Sequence, residues 1–405
     1  MSNAGLWKPR LERMHQVLSG YVERKELPGL VALVSRQDDV HVETLGTMAF
    51  GHPAPMKRDT IFRIASITKP ITAVAAMILV EECKLRLDES IERWLPELAN
   101  RRVLKSISSE LDDTVPALRA ITVRDLLTSR MGFGSVMAMP DTYPIQKLIR
   151  EYRIGGDGPM LPSQMPSTEE WLRKLGSLPW MAQPGERWMY HVSIDVLGAL
   201  IARVSGQSLG TFMRERIFDP LGMKDTAFHV PSEKIERLPA FYFFNRQTNT
   251  LDLFDDVANS AWRSEPLFES GGGALVSTID DYFAFSRMLL NTLAHKGRAG
   301  GEQVLSRATV ELMTSDQVTA EQRAGAEIFF GGYSSWGFGM AVDIQRKEIF
   351  HTPGRFGWDG GFGTSAYTDP AKGMIGILFT QRLVDSPEPP KVYTDFWTLA
   401  YGAME

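Results

Sequence analysis

The 405-residue sequence contains a single cysteine, Cys83, and only seven histidines. One cysteine excludes an internal disulfide framework and any zinc cluster built on several cysteines. The histidines are scattered and show no H-E-x-x-H or other metal-ligand spacing. The sequence therefore predicts neither a metal site nor a cofactor.

The sequence also lacks a basic excess and a long apolar run. Lys and Arg number 44 against 49 Asp and Glu, which gives a net charge of -5 and no electrostatic footprint for nucleic acid. The longest mostly apolar run, residues 71–80, is far shorter than the about 20 residues that span a bilayer. The first residues are charged and lack the apolar region of a signal peptide. We therefore expect a soluble cytoplasmic protein that binds neither nucleic acid nor a membrane, and the sequence does not indicate its oligomeric state.

What is present is an ordinary globular composition with strand-like patterns at both ends of the chain. Hydrophobic residues make up 43% and charged residues 23%. The β-rich segments are residues 29–35, 40–45, 336–343, 362–368 and 374–382. The helical segments are residues 66–85, 123–128, 168–175, 193–204, 209–218 and 392–401. This order predicts an α/β domain built from residues 1–64 and 266–405, a mostly helical domain at residues 65–265, and an active site in the cleft between them.

The clearest chemical motif is Ser66-Ile-Thr-Lys69, at the start of the first helix after the β-rich segments. Positions three apart lie on one helix face, so Lys69 can place its amine beside the Ser66 hydroxyl. A serine hydroxyl needs an adjacent base to act as a nucleophile, and a helix start offers free N–H groups to an oxygen that becomes negative. An S-x-x-K tetrapeptide also occurs by chance, and the alternative is a capping serine followed by a surface lysine.

Further motifs follow Ser66 in order along the chain. They lie at residues 126–132, 183–190, 196–198, 204–210, 218–223 and 270–278. Together they resemble the serine β-lactamase and penicillin-binding-protein superfamily, on the branch of class C-like enzymes and family VIII carboxylesterases. The resemblance extends from about residue 8 to residue 400. It implies an α+β fold in which helices flank an antiparallel sheet and a mostly helical domain is inserted.

The resemblance also implies roles for residues in two later motifs. The superfamily's second motif begins with a tyrosine from the helical domain, here Tyr190, and its third motif lies on a strand, here residues 357–361. Tyr190 would take the Ser66 proton, helped by the positive charge of Lys69. The backbone N–H groups of Ser66 and Gly361 would form the oxyanion hole. Without the resemblance, Tyr190 fits a core position and residues 357–361 fit a glycine-rich turn.

Departures from the lactamase pattern bear on the substrate. Lactamases carry asparagine at the third position of the tyrosine motif, where this chain has Val192, and a cationic residue in the strand motif, where this chain has Trp358. Together with Asp359 and Gly360, these two residues are expected to contact the substrate. Loss of a cation and gain of an anion favour neutral esters over anionic β-lactams. Several apolar side chains fit a substrate pocket and ordinary core packing equally well, namely Met131, Phe133, Met137, Met139 and Trp180.

A second serine lies in a competing motif. Residues 206–210 match G-x-S-x-G, the nucleophile motif of α/β-hydrolases, which requires a preceding strand. Residues 196–204 instead have helical periodicity. We therefore predict Gly206 as a helix C-cap and Ser208 as the N-cap of the next helix.

The sequence thus predicts a metal-free serine hydrolase that cleaves small neutral carboxylic esters through an acyl-enzyme on Ser66, with Lys69 and Tyr190 as its other catalytic residues. Three alternatives remain. One is β-lactamase or D-amino-acid peptidase activity, and the second is transfer of the acyl group to an alcohol or amine. The third is an inactive binding protein, against which the joint presence of Ser66, Lys69, Tyr190 and Gly361 argues.

Overall fold

The computed structural model describes residues 5–155, 161–294, 302–386 and 389–404. The α-helices are α1 Lys8–Glu23, α2 Thr68–Glu81, α3 Val123–Leu127, α4 Pro144–Tyr152, α5 Thr168–Ser177, α6 Val192–Ser205, α7 Leu209–Met213, α8 Asp219–Leu221, α9 Ile279–Leu293, α10 Arg307–Met313, α11 Ala320–Arg323, α12 Glu327–Phe330 and α13 Lys391–Gly402. The strands are β1 Gly29–Arg36, β2 Asp39–Gly46, β3 Phe62–Arg63, β4 Arg102–Leu104, β5 Thr114–Pro116, β6 Phe241–Asn245, β7 Thr250–Asp255, β8 Val276–Ser277, β9 Ser334–Trp336, β10 Ala341–Asp343, β11 Phe356–Gly360, β12 Thr364–Asp369 and β13 Met374–Thr380.

One antiparallel sheet joins the two ends of the chain. Its strand order is β2-β1-β13-β12-β11-β10-β9, and every neighbouring pair is antiparallel. The pairing of β1 with β13 places residue 30 opposite residue 380, so strands from the first fifty residues and the last eighty form a continuous layer. The predicted α+β fold with an antiparallel sheet is confirmed.

Both faces of this sheet are covered, and residues 30–34 of β1 are apolar and buried at every position. Along β1, Leu30, Ala32 and Val34 face a core formed with α1 and α13, whereas Val31 and Leu33 face the larger core formed with the helical region. Successive strand residues point to opposite faces, which explains the alternation. A uniformly apolar strand is the pattern expected of a strand buried on both sides.

Helix α2 is the buried helix that carries the motif lysine. Its first 12 residues, from Thr68 to Leu79, are all buried, which matches a segment that is apolar almost all round. The turn between β9 and β10 packs directly on it. Gly339 in that turn has φ +72°, and a Cβ there would lie 2.9 Å from the Lys69 carbonyl oxygen. Glycine is therefore required where the sheet edge touches the helix.

The structure corrects several predicted segments. Residues 336–343 do not form one strand, because the turn at Gly337–Gly339 divides them into β9 and β10, which pair with each other. The hairpin of β6 and β7 and the helix α9 were not predicted. The predicted domain limits at residues 64/65 and 265/266 stay a prediction. Among the described helices none is long and apolar enough to span a bilayer alone, and the pair Val192–Ser205 and Leu209–Leu221 meets that length and composition test only together, with a bend of 79°.

Candidate active site

Ser66 lies at the centre of a 3-10 turn, Ala65–Ile67, immediately before α2. The residue before it, Ala65, has φ +46°, a left-handed conformation that costs free energy for any residue with a side chain. Such conformations persist where the surroundings enforce them, and they are common at active sites. Ser66 itself is 9% exposed and faces a cleft. The strained turn thus presents a serine hydroxyl at the N-terminal end of a buried helix.

The end of strand β11 and the start of β12 pack tightly against this turn. The Thr364 hydroxyl donates a hydrogen bond of 2.9 Å to the Ile64 carbonyl oxygen. Gly360 faces the same place, and a Cβ there would lie 2.7 Å from the Ile64 oxygen and 3.3 Å from the Ala65 Cβ. Only a residue without a side chain allows the strand to come this close. Gly360 therefore fixes the distance between the strand motif and Ser66.

Lys69 is completely buried in the first turn of α2. Its Nζ donates a 2.6 Å hydrogen bond to the Gly272 carbonyl oxygen and lies 3.2 Å from Nδ1 of His191. Nζ also lies 4.6 Å from the centre of the Tyr190 ring, within the range of a cation–π contact. A buried ammonium needs such partners, because removing a charge from water without them is costly.

Tyr190 lies beside Lys69 on the segment that leads into α6. Its hydroxyl oxygen accepts a 2.9 Å hydrogen bond from Nε1 of Trp358 on β11. The Tyr190 oxygen thus has a donor aimed at it, and the Tyr190 ring has the Lys69 amine at its face. Among the described residues no hydrogen bond yet joins the Ser66 hydroxyl to either Lys69 or Tyr190. Catalytic hydrogen bonds are often long without substrate and shorten when it binds.

Gly361 follows β11 and lines the cleft opposite Ser66. Its carbonyl oxygen accepts a 2.9 Å hydrogen bond from the Val384 N–H, whereas its own N–H has no partner among the described residues. A fixed peptide with an unused N–H beside a nucleophile is the arrangement that an oxyanion hole needs.

The cleft divides into two lobes that meet at Ser66, Tyr190 and Gly361. The first, which we call the apolar lobe, has a volume of about 770 Å³. Its apolar wall is formed by Val136, Met137, Met139, Met165, Phe268, Ile328, Phe329, Phe362 and Leu383. The ambiguity over the methionines and aromatic residues is thereby resolved, because Met137 and Met139 line this lobe while Met131, Phe133 and Trp180 are buried in the core.

The second, which we call the polar lobe, has a volume of about 570 Å³. It contains Arg355, which is 3% exposed and donates a 3.0 Å hydrogen bond to Asp343. Burial raises the pKa of Asp343 to about 6 although Arg355 opposes this shift. Burial likewise lowers the pKa of His351 to about 4. The polar lobe therefore holds ionisable groups packed against aromatic rings, since Arg355 lies 3.8 Å from the centre of the Tyr367 ring and His351 stacks on Tyr333 at 4.0 Å.

The four predicted substrate contacts have different positions. Trp358 and Gly360 line the polar lobe beside Ser66. Asp359 lines it too, but its carboxylate accepts hydrogen bonds from Ser365 at 2.5 Å and Tyr367 at 3.4 Å, and burial raises its pKa. Both features weaken the expected repulsion of an anionic substrate by Asp359. Val192 is 1% exposed within the main core and is not among the described residues that line either lobe, because α6 starts there with its side chain inward.

The sequence left His191 open between a place in the cleft beside Tyr190 and a solvent-facing role, and it did not single out Asp195. His191 lines the apolar lobe, and its Nε2 lies 3.2 Å from a carboxylate oxygen of the fully buried Asp195. A signal was present, since Asp195 interrupts an apolar helical run four residues after His191, on the same helix face. Ser208 behaves as predicted, because it caps α7 by accepting from the Thr211 N–H, and Gly206 ends α6 with φ +71°. Among the described residues no group of three or more His, Cys, Asp or Glu side chains is placed to hold a metal ion.

Comparisons with known proteins cover nearly the whole chain. A family model described as Beta-lactamase matches residues 14–394. Protein Rv1367c of Mycobacterium tuberculosis is 36% identical over 372 residues, which cover 89% of this chain and 87% of that protein. Esterase EstB of Burkholderia gladioli is 29% identical over 402 residues, which cover 93% of this chain and 92% of that protein. The solved structure of EstCE1, described as a hydrolase with promiscuous acyltransferase activity, matches with a TM-score of 0.80 and 23% identity over 97% of this chain and 99% of that one.

Proposed function

This chain belongs to the Beta-lactamase family, and on that basis we propose that it is a serine hydrolase that cleaves neutral carboxylic esters through an acyl-enzyme on Ser66. One observation carries the proposal. A serine at a helix start, a tyrosine with a donor on its hydroxyl and a glycine with an unpaired N–H line one cleft, and a buried lysine lies against the face of the tyrosine ring. That combination provides a nucleophile, a base and an oxyanion hole, which are the parts that acyl transfer needs.

The reaction follows from these positions. Tyr190 takes the proton of Ser66 as its oxygen attacks the ester carbonyl, and the N–H groups of Ser66 and Gly361 bind the carbonyl oxygen as it becomes negative. The ester C–O bond then breaks, the alcohol leaves with the proton held by Tyr190, and the acyl group stays on Ser66. Water enters, gives a proton to Tyr190 and attacks the acyl carbon. The bond between the Ser66 oxygen and the acyl carbon then breaks, Tyr190 returns the proton to that oxygen, and the acid leaves. Lys69 stabilises the phenolate in both halves of the reaction.

The walls of the cleft support an apolar, uncharged acyl or alcohol group. The apolar lobe exposes Met, Phe and Ile side chains next to Ser66, and burying such a group gains about 25 cal/mol for each Å² removed from water. Trp358 occupies the place where lactamases carry a cation for the β-lactam carboxylate. The relative EstB is an esterase, which agrees with cleavage of an ester. We expect kcat/KM to be higher for p-nitrophenyl butyrate than for nitrocefin, and the reverse order would favour a β-lactamase.

Replacing each of the two candidate serines tests the assignment directly. The Ser66→Ala variant should lose p-nitrophenyl butyrate hydrolysis to the background rate while its circular dichroism spectrum stays unchanged. Ser208→Ala is the matched control. It removes a capping hydroxyl, which costs about 1 kcal/mol of stability, and should leave kcat unchanged. Activity that survives in Ser66→Ala and disappears in Ser208→Ala would refute the proposal.

Transfer of the acyl group to an alcohol is the second candidate function. It is favoured by the polar lobe, which adjoins Ser66 and offers space for an acceptor while the apolar lobe holds the acyl chain. EstCE1 carries promiscuous acyltransferase activity in its description. Analysis of the products formed from vinyl butyrate in water with an added alcohol distinguishes the two outcomes, because only transfer yields the new ester.

A further inference from the structure

A line of three side chains leads from Lys69 away from the substrate cleft into the protein. Lys69 Nζ lies 3.2 Å from Nδ1 of His191, and Nε2 of the same ring lies 3.2 Å from one carboxylate oxygen of Asp195. The other oxygen of Asp195 accepts hydrogen bonds from the Ser270 hydroxyl at 2.5 Å and the Gly272 N–H at 2.9 Å. The Lys69 amine has two partners, His191 and the Gly272 carbonyl oxygen, and Asp195 contacts both of these residues.

The chemistry of these groups determines where the protons lie. Burial alone would raise the pKa of Asp195, but His191 and the donors from Ser270 and Gly272 hold it below its usual range. An ionised carboxylate only accepts hydrogen bonds, so the 3.2 Å contact favours the form of His191 that carries its proton on Nε2. Nδ1 of a neutral imidazole is then an acceptor, which is what the Lys69 ammonium requires.

The position of the His191 ring is strongly constrained. Its backbone has φ +83° and ψ -65°, outside the regions that residues with side chains prefer. A Cβ on Gly272 would lie 3.1 Å from Cε1 of the ring and 2.9 Å from the Asp195 oxygen, so the glycine loop at residues 271–273 packs closely on both. Strain of this kind persists only where the surrounding contacts enforce it.

We propose that His191 and Asp195 are positioning residues for Lys69. Asp195 fixes the imidazole in the form protonated at Nε2, and Nδ1 then holds the Lys69 amine against the face of Tyr190. The charged and titratable groups that face the ring are Lys69 from α2, Asp195 from α6 and the adjacent Tyr190; the loop that packs on the ring contributes only glycines. If the ring gained a second proton, its Nδ1–H would point at the ammonium and the contact would be lost. The catalytic part of this proposal rests on the proposed function.

Nuclear magnetic resonance of ¹⁵N-histidine tests the arrangement without any need for activity. We expect the His191 signals in the wild-type protein to show a neutral ring protonated at Nε2, and the Nδ1 signal to move when Lys69 is replaced by methionine. Asp195→Asn should release the ring into a mixture of tautomers. A ring protonated at Nδ1, or one that already exchanges between tautomers in the wild-type protein, would overturn the proposal.

Kinetics on the ester substrate test the consequence for Lys69. His191→Leu removes the acceptor, and we expect kcat to fall about 10²-fold with KM changed by less than about threefold, since the amine is displaced rather than the substrate. His191→Asn is the informative partner, because its side-chain oxygen occupies the place of Nδ1 and asparagine tolerates positive φ. It should recover about tenfold of that loss, because an acceptor for the Lys69 amine is restored.

A failure of the positioning role can be distinguished from a failure of the proposed function. His52→Leu changes an exposed turn residue and should leave both kcat and the pH profile unchanged. If His191→Leu and His191→Asn, both folded, keep the wild-type kcat and the wild-type pH profile, the positioning role is refuted. If the wild-type protein hydrolyses no ester, the proposed function fails, and the tautomer measurement still decides whether His191 and Asp195 hold Lys69.

Discussion

Replacing Gly360 by alanine should damage the oxyanion hole from the strand side. The added Cβ would lie 2.7 Å from the Ile64 oxygen and would also clash with the Thr364 hydroxyl, which is itself bonded to that oxygen. Ordinary van der Waals contact begins near 3.4 Å, so β11 must move away from the Ser66 turn by about 0.7 Å. A displacement approaching 1 Å at a catalytic donor costs about 10²-fold in rate. Overpacking of this kind also costs about 1–3 kcal/mol of stability.

The assay is kcat on p-nitrophenyl butyrate together with thermal unfolding. We expect kcat to fall about 10²-fold and KM to change little, because the oxyanion donors act mainly in the transition state. Gly402→Ala is the matched control, since it lies in α13 away from the cleft and a Cβ there meets nothing within 4 Å. A Gly360→Ala variant that keeps kcat within threefold of the wild type would show that the close approach of β11 does not set the catalytic geometry.

Two further predictions concern Trp358 and Asp343. Trp358→Phe removes the N–H that donates to the Tyr190 hydroxyl and keeps an aromatic ring. We expect kcat on the same ester to fall about tenfold or more, as for the loss of a hydrogen bond to a charged group. An unchanged kcat would show that this donor does not support the base. Asp343 has a pKa raised to about 6 by burial, above the value of about 3.9 in an unfolded chain. The native state therefore binds this proton more tightly than the unfolded chain does. Protonated Asp343 adds to the free energy of unfolding, and this contribution is complete below about pH 4 and is lost as the pH rises through 6. Urea unfolding at pH 4, 5 and 6 should show a steeper decline in the wild type than in Asp343→Asn, and parallel slopes would contradict the assignment.

Motif order was sufficient to predict the fold, and three of the residues it singled out, Ser66, Tyr190 and Gly361, line one cleft. Three features of the fold are local signals, because each follows from side-chain periodicity or capping chemistry. They are the apolar β1 and β13 segments, the buried helix after Ser66 and the helical pattern before Ser208. The competing G-x-S-x-G motif was rejected for the same reason, and Ser208 is indeed an N-cap. Residues 336–343 show where local patterns fail, since their apolar run continues through a turn whose shape depends on contact with α2.

Only the tertiary structure decided which side chains meet across distant segments. The place of Val192 in the tyrosine motif predicted a substrate contact, whereas its side chain lies in the core. The spacing of His191 and Asp195 did not reveal that Lys69, more than a hundred residues earlier, lies beside the ring. Likewise Asp359 is acidic in the sequence, yet its burial against Ser365 and Tyr367 changes what that charge does. Sequence periodicity determines what each segment buries, because it depends on neighbours along the chain. The partners of a buried charge depend on how the segments pack, and the desolvation that governs its state exists only after they have folded together.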